Sequence, residues 1–205
     1  MAESENLDLV ALICSRLCHD LAGSIGAINN GVELLAEETD PVMRDEALGL
    51  IAQSATDAAR RLAFFRFALG ASGDSEQPMA FAEMKQIAEA YFAGGKVSVA
   101  LPAAVERLPK ALGKALLICL ALAAQALPRG GNVGLKPEDN GWRIEGSGPM
   151  LRWTEEVAAA LSDSAPWPRE PHAAMARYAR RLSASAGFTL TPTVTPETLV
   201  LRFAP

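Results

Sequence analysis

Two long segments with helical spacing, near the start of the chain, most constrain its fold. The first carries apolar or small side chains at alternating intervals of three and four residues, interrupted only by Gly31: Leu7, Val10, Cys14, Leu17, Leu21, Ser24, Ile28 and Leu35. The second repeats this spacing at Leu48, Ile51, Ala55, Ala58, Leu62, Phe65 and Leu69. Between them, Asp40 is a good helix N-cap and Pro41 suits a first helical position. The pattern predicts a helical hairpin, with helices over residues 7–38 and from Pro41 to Leu69.

The apolar stripe of this hairpin needs a partner. A pair of helices on its own leaves half of each stripe in water, and long helices are rarely stable without packing. Two copies of the hairpin can bury both stripes as a four-helix bundle, so we predict a homodimer. The alternative is that the C-terminal part of the chain covers the stripes.

A second domain is predicted beyond the hairpin. Residues 71–78, ASGDSEQP, have the composition of a linker. Helices are predicted near residues 79–93, 109–127, 154–161 and 171–186, and strands near 97–101, 132–136, 142–145, 188–191 and 198–203. The fold class is therefore α+β: a helical hairpin over residues 1–72 that forms a dimeric four-helix bundle, then an α/β sandwich domain over residues 79–205 with a mainly antiparallel sheet.

Composition excludes several classes of protein. With 50% hydrophobic and 21% charged residues, the chain is not disordered. Its net charge of −5, concentrated in residues 1–75, argues against nucleic acid as a partner. The longest apolar run, residues 115–124, is half of a membrane span, and the acidic N-terminus lacks the pattern of a signal peptide. Three cysteines do not make a disulfide framework, so we expect a cytoplasmic protein that does not enter a membrane.

His19 is the residue best placed for chemistry. At 100° per residue it lies 200° from both Leu17 and Leu21, so it points away from the apolar stripe into solvent. Small residues follow on its own face: Ala22, Gly23 and Gly26. Glycine costs about 1 kcal/mol relative to alanine in a helix, so the bare surface indicates room for a close partner. An exposed histidine beside small residues can also be incidental, and the glycines can instead serve helix packing.

The neighbours of His19 fit nucleophilic work. The unprotonated nitrogen of a neutral imidazole can attack an electrophile while a carboxylate holds the other nitrogen. Asp20 is adjacent and can supply that carboxylate, and Arg16 can help to neutralise an incoming phosphoryl group. A metal site at Cys14, Cys18 and His19 lacks a fourth ligand, so we interpret the two cysteines as buried thiols.

Other chemistry-bearing residues receive plainer interpretations. His172 follows Pro171 at a predicted helix start and is interpreted as a surface or capping residue. Trp142, Trp153 and Trp167 are interpreted as packing or interface anchors.

The string RLCHDL at residues 16–21, followed by AINNGVELL at residues 27–35, resembles the alphaproteobacterial histidine phosphotransferases of the ChpT type. The match is strong over residues 7–70 and collinear beyond. The resemblance implies that His19 is a phosphoacceptor with Asp20 as its acidic neighbour, on a hairpin that dimerises into a four-helix bundle. It also implies a C-terminal domain resembling a histidine-kinase ATPase domain. Proteins of this family carry phosphate from the receiver domain of a hybrid kinase to response regulators, and magnesium is expected in the receiver.

The sequence departs from the kinase pattern in two places. Where kinases have Ser or Thr followed by Pro, this chain has Gly23 and Ser24, which puts phosphatase activity in doubt. The two asparagines that hold magnesium and phosphate align with Cys119 and Ala123, neither of which offers the oxygen ligand that magnesium requires. The adenine-reading motif falls at residues 146–150, GSGPM, without its Asp and second Gly. We therefore expect no ATP binding, no autokinase activity and no cofactor or metal in this chain.

The sequence thus predicts a histidine phosphotransferase. Candidate docking positions for receivers are Arg16, Ala22, Gly23 and Gly26. One rival is a dimeric adaptor that has lost transfer, although an adaptor needs no exposed histidine. The other is a divergent ATP-using histidine kinase, which labelling by ATP alone would reveal.

Overall fold

The computed structural model describes residues 2–71, 78–103, 105–162 and 167–205. Its N-terminal part is a hairpin of two long helices, α1 (Ala2–Glu37) and α2 (Pro41–Leu69). Asp40 caps α2: its side chain accepts hydrogen bonds from the backbone N–H groups of Val42 and Met43. Gly70 ends α2, and its N–H donates to the carbonyl of Arg66 at 3.1 Å. The predicted hairpin is confirmed, with both ends of α2 where the sequence places them.

The C-terminal part is an α/β domain. Its helices are α3 (Phe81–Phe92), α4 (Lys110–Gln125), α5 (Glu155–Ala160) and α6 (Pro171–Ser185), and its strands are β1 (Pro78–Ala80), β2 (Val97–Ala100), β3 (Arg107–Pro109), β4 (Gly131–Glu138), β5 (Gly141–Ser147), β6 (Thr189–Val194) and β7 (Thr198–Ala204). The main sheet has the order β2-β4-β5-β7-β6. Only the β2–β4 pair is parallel, and the other three pairs are antiparallel.

The predicted fold class is confirmed as a mixed α+β chain in which a helical hairpin precedes an α/β domain. Glycines end two helices of this domain in left-handed backbone, Gly94 after α3 (φ 77°) and Gly187 after α6 (φ 82°). One feature is not predicted by the sequence pattern, a small antiparallel pair of β1 with β3. Each of these strands has three residues, too few for an alternating pattern to stand out. The linker was predicted over residues 71–78, of which residues 72–77 lie outside the described part of the chain and Pro78 begins β1.

Helix α4 is the centre of the core. Its residues from Ala111 to Ala123 are all buried, because the sheet covers one side and α2, α3 and α6 cover the others. This position explains why α4 is apolar around its whole circumference. Lys114 is the buried basic residue of α4, and its Nζ donates to the carbonyl of Gly70 at the end of α2. The two parts of the chain therefore share one core.

The α/β domain covers only one end of the hairpin. Phe64, Phe65 and Ala68 of α2 are buried in the shared core, and Leu17 of α1 packs against it. Other large apolar side chains of the hairpin stay exposed at both of its ends: Leu7, Val10, Ile25, Val32, Leu34, Val42, Met43, Leu48, Leu50 and Leu62. The C-terminal domain thus covers only part of the apolar stripe, and the rest is free to pack against a second copy of the hairpin.

By length and composition, residues 6–37 of α1 are also apolar enough to cross a membrane, a possibility that the longest apolar run did not reveal. The contacts of α1 indicate otherwise. It packs against α2 and α6, and it carries Arg16, His19 and Asp20 near its middle. Charged side chains at such a depth are costly in a bilayer, and here they serve contacts within the protein.

Candidate functional site

His19 projects from α1 into solvent. Its side chain is 84% exposed, although Leu17 and Leu21 on either side are half-buried. The angular prediction from the sequence therefore holds: the imidazole points away from the faces of α1 that pack on the rest of the protein. An exposed imidazole on a rigid helix is open to a partner of any size.

The surface beside the imidazole is bare. Ala22 and Gly23 are exposed and Gly26 is half-buried. A Cβ atom placed on Gly23 or Gly26 would meet no atom within 4 Å. Packing inside this chain therefore does not require glycine at either position. What the two glycines share is open space toward solvent.

Asp20 lies beneath the imidazole. Its side chain is only 6% exposed, and its Oδ1 lies 3.4 Å from Nδ1 of His19. When Nδ1 donates its proton toward this oxygen, the lone pair of the ring is on Nε2, the nitrogen farther from Asp20. With this pairing, Nε2 is the ring nitrogen whose lone pair is available to a partner in solvent.

Arg16 holds Asp20 from the other side. Its Nε donates to Oδ2 of Asp20 at 3.0 Å, and its Nη2 lies 2.9 Å from the same oxygen. Both donors converge on Oδ2, so Oδ1 stays free for His19. The Arg16 side chain is 14% exposed, and its remaining terminal nitrogen, Nη1, hydrogen-bonds to Nε2 of His172. The guanidinium is thus engaged within the chain, and its predicted contact with a receiver stays a prediction.

His172 is the residue of the site that the sequence analysis missed. Its interpretation as a surface or capping residue is wrong, because it is half-buried and contacts Arg16 from the second position of α6. Burial, and secondarily the positive charge of Arg16, lower the pKa of His172 below its ordinary value of 6.5. A neutral ring suits its role as acceptor. The one available signal was the scarcity of histidine, since the chain has only two.

Core side chains form the floor under Arg16 and Asp20. A narrow crevice there is lined by Phe64, Tyr91, Ile118, Leu122 and Met175. Tyr91 stacks on Phe64 with ring centroids 4.2 Å apart. Burial raises the pKa of Tyr91, and the negative charge of Asp20 adds to that effect. The Arg16–Asp20 pair therefore lies between a solvated histidine and an apolar core.

The residues aligned with the kinase magnesium ligands lie inside α4. Cys119 and Ala123 are fully buried, and burial raises the pKa of the Cys119 thiol. A nearby cavity of about 140 Å³, lined in part by Gln125, Trp153 and His172, is smaller than the ~300 Å³ at which typical ligand pockets begin. Among residues 2–71, 78–103, 105–162 and 167–205, no three His, Cys, Asp or Glu side chains cluster as metal ligands.

Cys14 and Cys18 are free and exposed, which corrects their interpretation as buried thiols. They lie on the side of α1 that carries the exposed Leu7 and Val10, which the described part of the chain does not cover.

Comparisons with known proteins identify the family of the chain. Residues 81–198 match the model of the histidine phosphotransferase C-terminal domain. The chain is 36% identical over 199 residues to protein phosphotransferase ChpT of Brucella abortus (strain 2308), covering 95% of this chain and 94% of that protein. A solved bacterial phosphotransferase superposes with a TM-score of 0.82 and 36% identity, over 97% of this chain and 96% of the other. The chain therefore belongs to the ChpT-type histidine phosphotransferases, the family that the residues around His19 indicate.

Proposed function

We propose that this chain carries a phosphoryl group between receiver domains on Nε2 of His19. The donor is the aspartyl phosphate of a hybrid-kinase receiver, and the acceptor is the aspartate of a response-regulator receiver. The observation that carries the proposal is the exposed imidazole with Nδ1 directed at the buried carboxylate of Asp20. The relative from Brucella abortus, named a protein phosphotransferase, supports the reaction class.

The reaction consists of two displacements. The lone pair of Nε2 attacks phosphorus, the P–N bond forms, and the bond from phosphorus to the receiver's aspartate breaks to release a carboxylate. The ring keeps its Nδ1 proton and becomes a cation, which the charge of Asp20 stabilises across 3.4 Å. A carboxylate of the second receiver then attacks the same phosphorus, the P–N bond breaks, and neutral His19 returns.

Positioning is the main contribution of this chain to the reaction. The described residues offer no metal cluster beside His19, so we propose that magnesium and the groups that stabilise charge on phosphorus belong to the receiver. The receiver must then bring its aspartate in line with Nε2, and the bare face of Ala22, Gly23 and Gly26 gives it room.

The test is phosphoryl transfer from a purified, phosphorylated hybrid-kinase receiver to this protein. We expect acid-labile label on the wild type and none on His19→Gln, which keeps a polar side chain of similar size at an exposed position. Circular dichroism of the variant verifies that the helices are intact. Absence of label on the wild type with several donors would favour the adaptor, and label on His19→Gln would place the phosphoacceptor elsewhere.

We also propose that the chain does not use ATP. The buried thiol and methyl groups of Cys119 and Ala123 offer magnesium no oxygen ligand, which supports the proposal. Incubation with labelled ATP and magnesium in the absence of any receiver should leave the protein unlabelled. Label under those conditions would show a divergent kinase.

The exposed apolar residues of the hairpin support a homodimer. Leu7, Val10, Ile25 and Val32 lie within about 60° of one another around α1, at 100° per residue. Leu48 and Leu62 share a face of α2 in the same way. We propose that a second hairpin covers this surface to form a four-helix bundle.

Light scattering after gel filtration tests the dimer. The wild type should have twice the chain mass of 21.7 kDa. Leu48→Glu should have the mass of one chain, and Gln53→Glu, on an exposed polar face of α2, should remain dimeric. A monomeric wild type would refute the dimer.

We propose that the protein acts in the cytoplasm. The three free thiols, two of them exposed, suit a reducing compartment.

A further inference from the structure

We propose that His172, in the α/β domain, is a positioning residue that fixes the orientation of His19 through Arg16 and Asp20. The inference rests on the proposed phosphoacceptor role of His19 and extends it. It assigns the α/β domain a role in the reaction, and this role needs no nucleotide. Through His172, α6 of that domain supports the contacts that orient His19.

Four side chains form one continuous line of contacts. Nη1 of Arg16 donates to Nε2 of His172, so the proton of a neutral His172 is on Nδ1. Nε and Nη2 of Arg16 bind Oδ2 of Asp20. Oδ1 of Asp20 then faces Nδ1 of His19. Each residue uses one atom or edge for the residue before it and another for the residue after it.

The geometry explains why a third residue is needed. The planar guanidinium of Arg16 contacts Asp20 through one edge only, both donors meeting a single oxygen. A second contact at Nη1 fixes the plane of the guanidinium, as two-point attachment does for arginine generally. With that plane fixed, the carboxylate of Asp20 keeps Oδ1 directed at the imidazole.

The packing of α6 holds His172 in place. Arg181 of α6 donates to Oδ1 of Asn6 on α1 at 3.2 Å, while His172 contacts Arg16. The pairs are separated by ten residues along α1 and nine along α6, about 15 Å and 14 Å of helix, so the two helices run antiparallel in matched register. The Arg181–Asn6 contact therefore joins the same two helices at a point far from His19.

Three substitutions separate positioning from docking. His172→Phe keeps an aromatic ring and removes the acceptor, whereas His172→Gln places an amide oxygen near the position of Nε2. In single-turnover transfer from a phosphorylated receiver, we expect His172→Phe to lower the rate at saturating receiver by about ten- to a hundredfold, with the half-saturating receiver concentration unchanged. His172→Gln should restore most of the rate. Asn6→Ala, which removes a different contact of α1 with α6, should transfer at the wild-type rate.

The imidazole tautomers give a readout that a purely structural role would not change. Nitrogen-15 NMR of the wild type should show His172 with its proton on Nδ1, and His19 with a majority on Nδ1 that falls in His172→Phe. This measurement needs no phosphate donor, so its result does not depend on whether the proposed phosphoryl transfer occurs. The wild-type spectrum also needs no variant to fold.

The outcomes are decisive. A proton on Nε2 of neutral His172 would overturn the proposal, because that nitrogen could not then accept from Arg16. Wild-type transfer and an unchanged His19 tautomer in a folded His172→Phe would overturn it as well. An equal loss in Asn6→Ala would show that domain docking, rather than His172, supports the site.

Discussion

Gly23 and Gly26 keep the face of α1 beside His19 bare, and we expect that space to carry a measurable cost in stability. A Cβ at either position meets no atom within 4 Å, so alanine fits without a clash. Alanine is better than glycine in a helix interior by about 1 kcal/mol. Gly23→Ala and Gly26→Ala should therefore each raise the free energy of unfolding by about 1 kcal/mol, or the thermal midpoint by about 2–4 °C for a chain of this length.

Gly49 of α2 provides a matched control. It is also helical, a Cβ there also meets nothing within 4 Å, and the residues on its face, Asp45, Gln53 and Thr56, are exposed and polar. Gly49→Ala should stabilise the chain to the same degree, as measured by urea unfolding. The difference between these glycines should appear only with a receiver present.

Bulk should distinguish the two surfaces. Gly23→Phe adds a ring one helical turn from His19, where helix neighbours have Cβ atoms about 5–6 Å apart. We expect it to fold and to lower the rate of phosphoryl transfer from a receiver by about a hundredfold or more. Gly49→Phe should transfer like the wild type. Normal transfer by Gly23→Phe would refute the docking face, and destabilisation by Gly23→Ala would show that another surface packs on this glycine.

Two further predictions concern the charges under His19. Asp20→Asn removes the carboxylate that Arg16 binds, at a side chain that is only 6% exposed. We expect the free energy of unfolding to fall by about 1.5–3 kcal/mol and phosphoryl transfer to slow. An unchanged transfer rate in this variant would contradict the role of Asp20. The second follows from the lowered pKa of His172, whose ring is faced by Arg16, Asp20 and His19 from α1 and by Glu170 at the start of α6. As the pH falls, His172 takes up its proton in the unfolded chain before it does so in the folded one. The wild type should therefore lose stability relative to His172→Gln below pH 6.5. The measurement is the free energy of urea unfolding of both proteins from about pH 7.5 to 5, and the same pH dependence in both would contradict the prediction.

Local pattern predicted the hairpin and the direction of His19. The spacing of apolar residues in α1 and α2 is a property of each segment by itself, and the Asp40 cap depends on neighbours in sequence only. The same angular argument placed His19 in solvent. These features are local, so a single sequence contains them.

Features that depend on distant parts of the chain were harder to predict. Arg16 and His172 are 156 residues apart, and they meet only because α6 docks on α1. Helical spacing on either segment contains no information about that docking. The exposure of Cys14 was missed for a related reason: the spacing predicts an apolar face, but it does not say which chain covers it.

The open side of α1 also determines the kinetics of a relay. Because α2 and α6 pack against α1 and His19 is exposed, the proposed relay requires one nitrogen per chain to meet both the donor and the acceptor receiver. The two receivers then compete for a single binding site around His19, and the donor must dissociate before the acceptor can bind. Exchange should follow a double-displacement rate law, with parallel lines in double-reciprocal plots. A large excess of unphosphorylated acceptor should slow the loading of this protein by its donor.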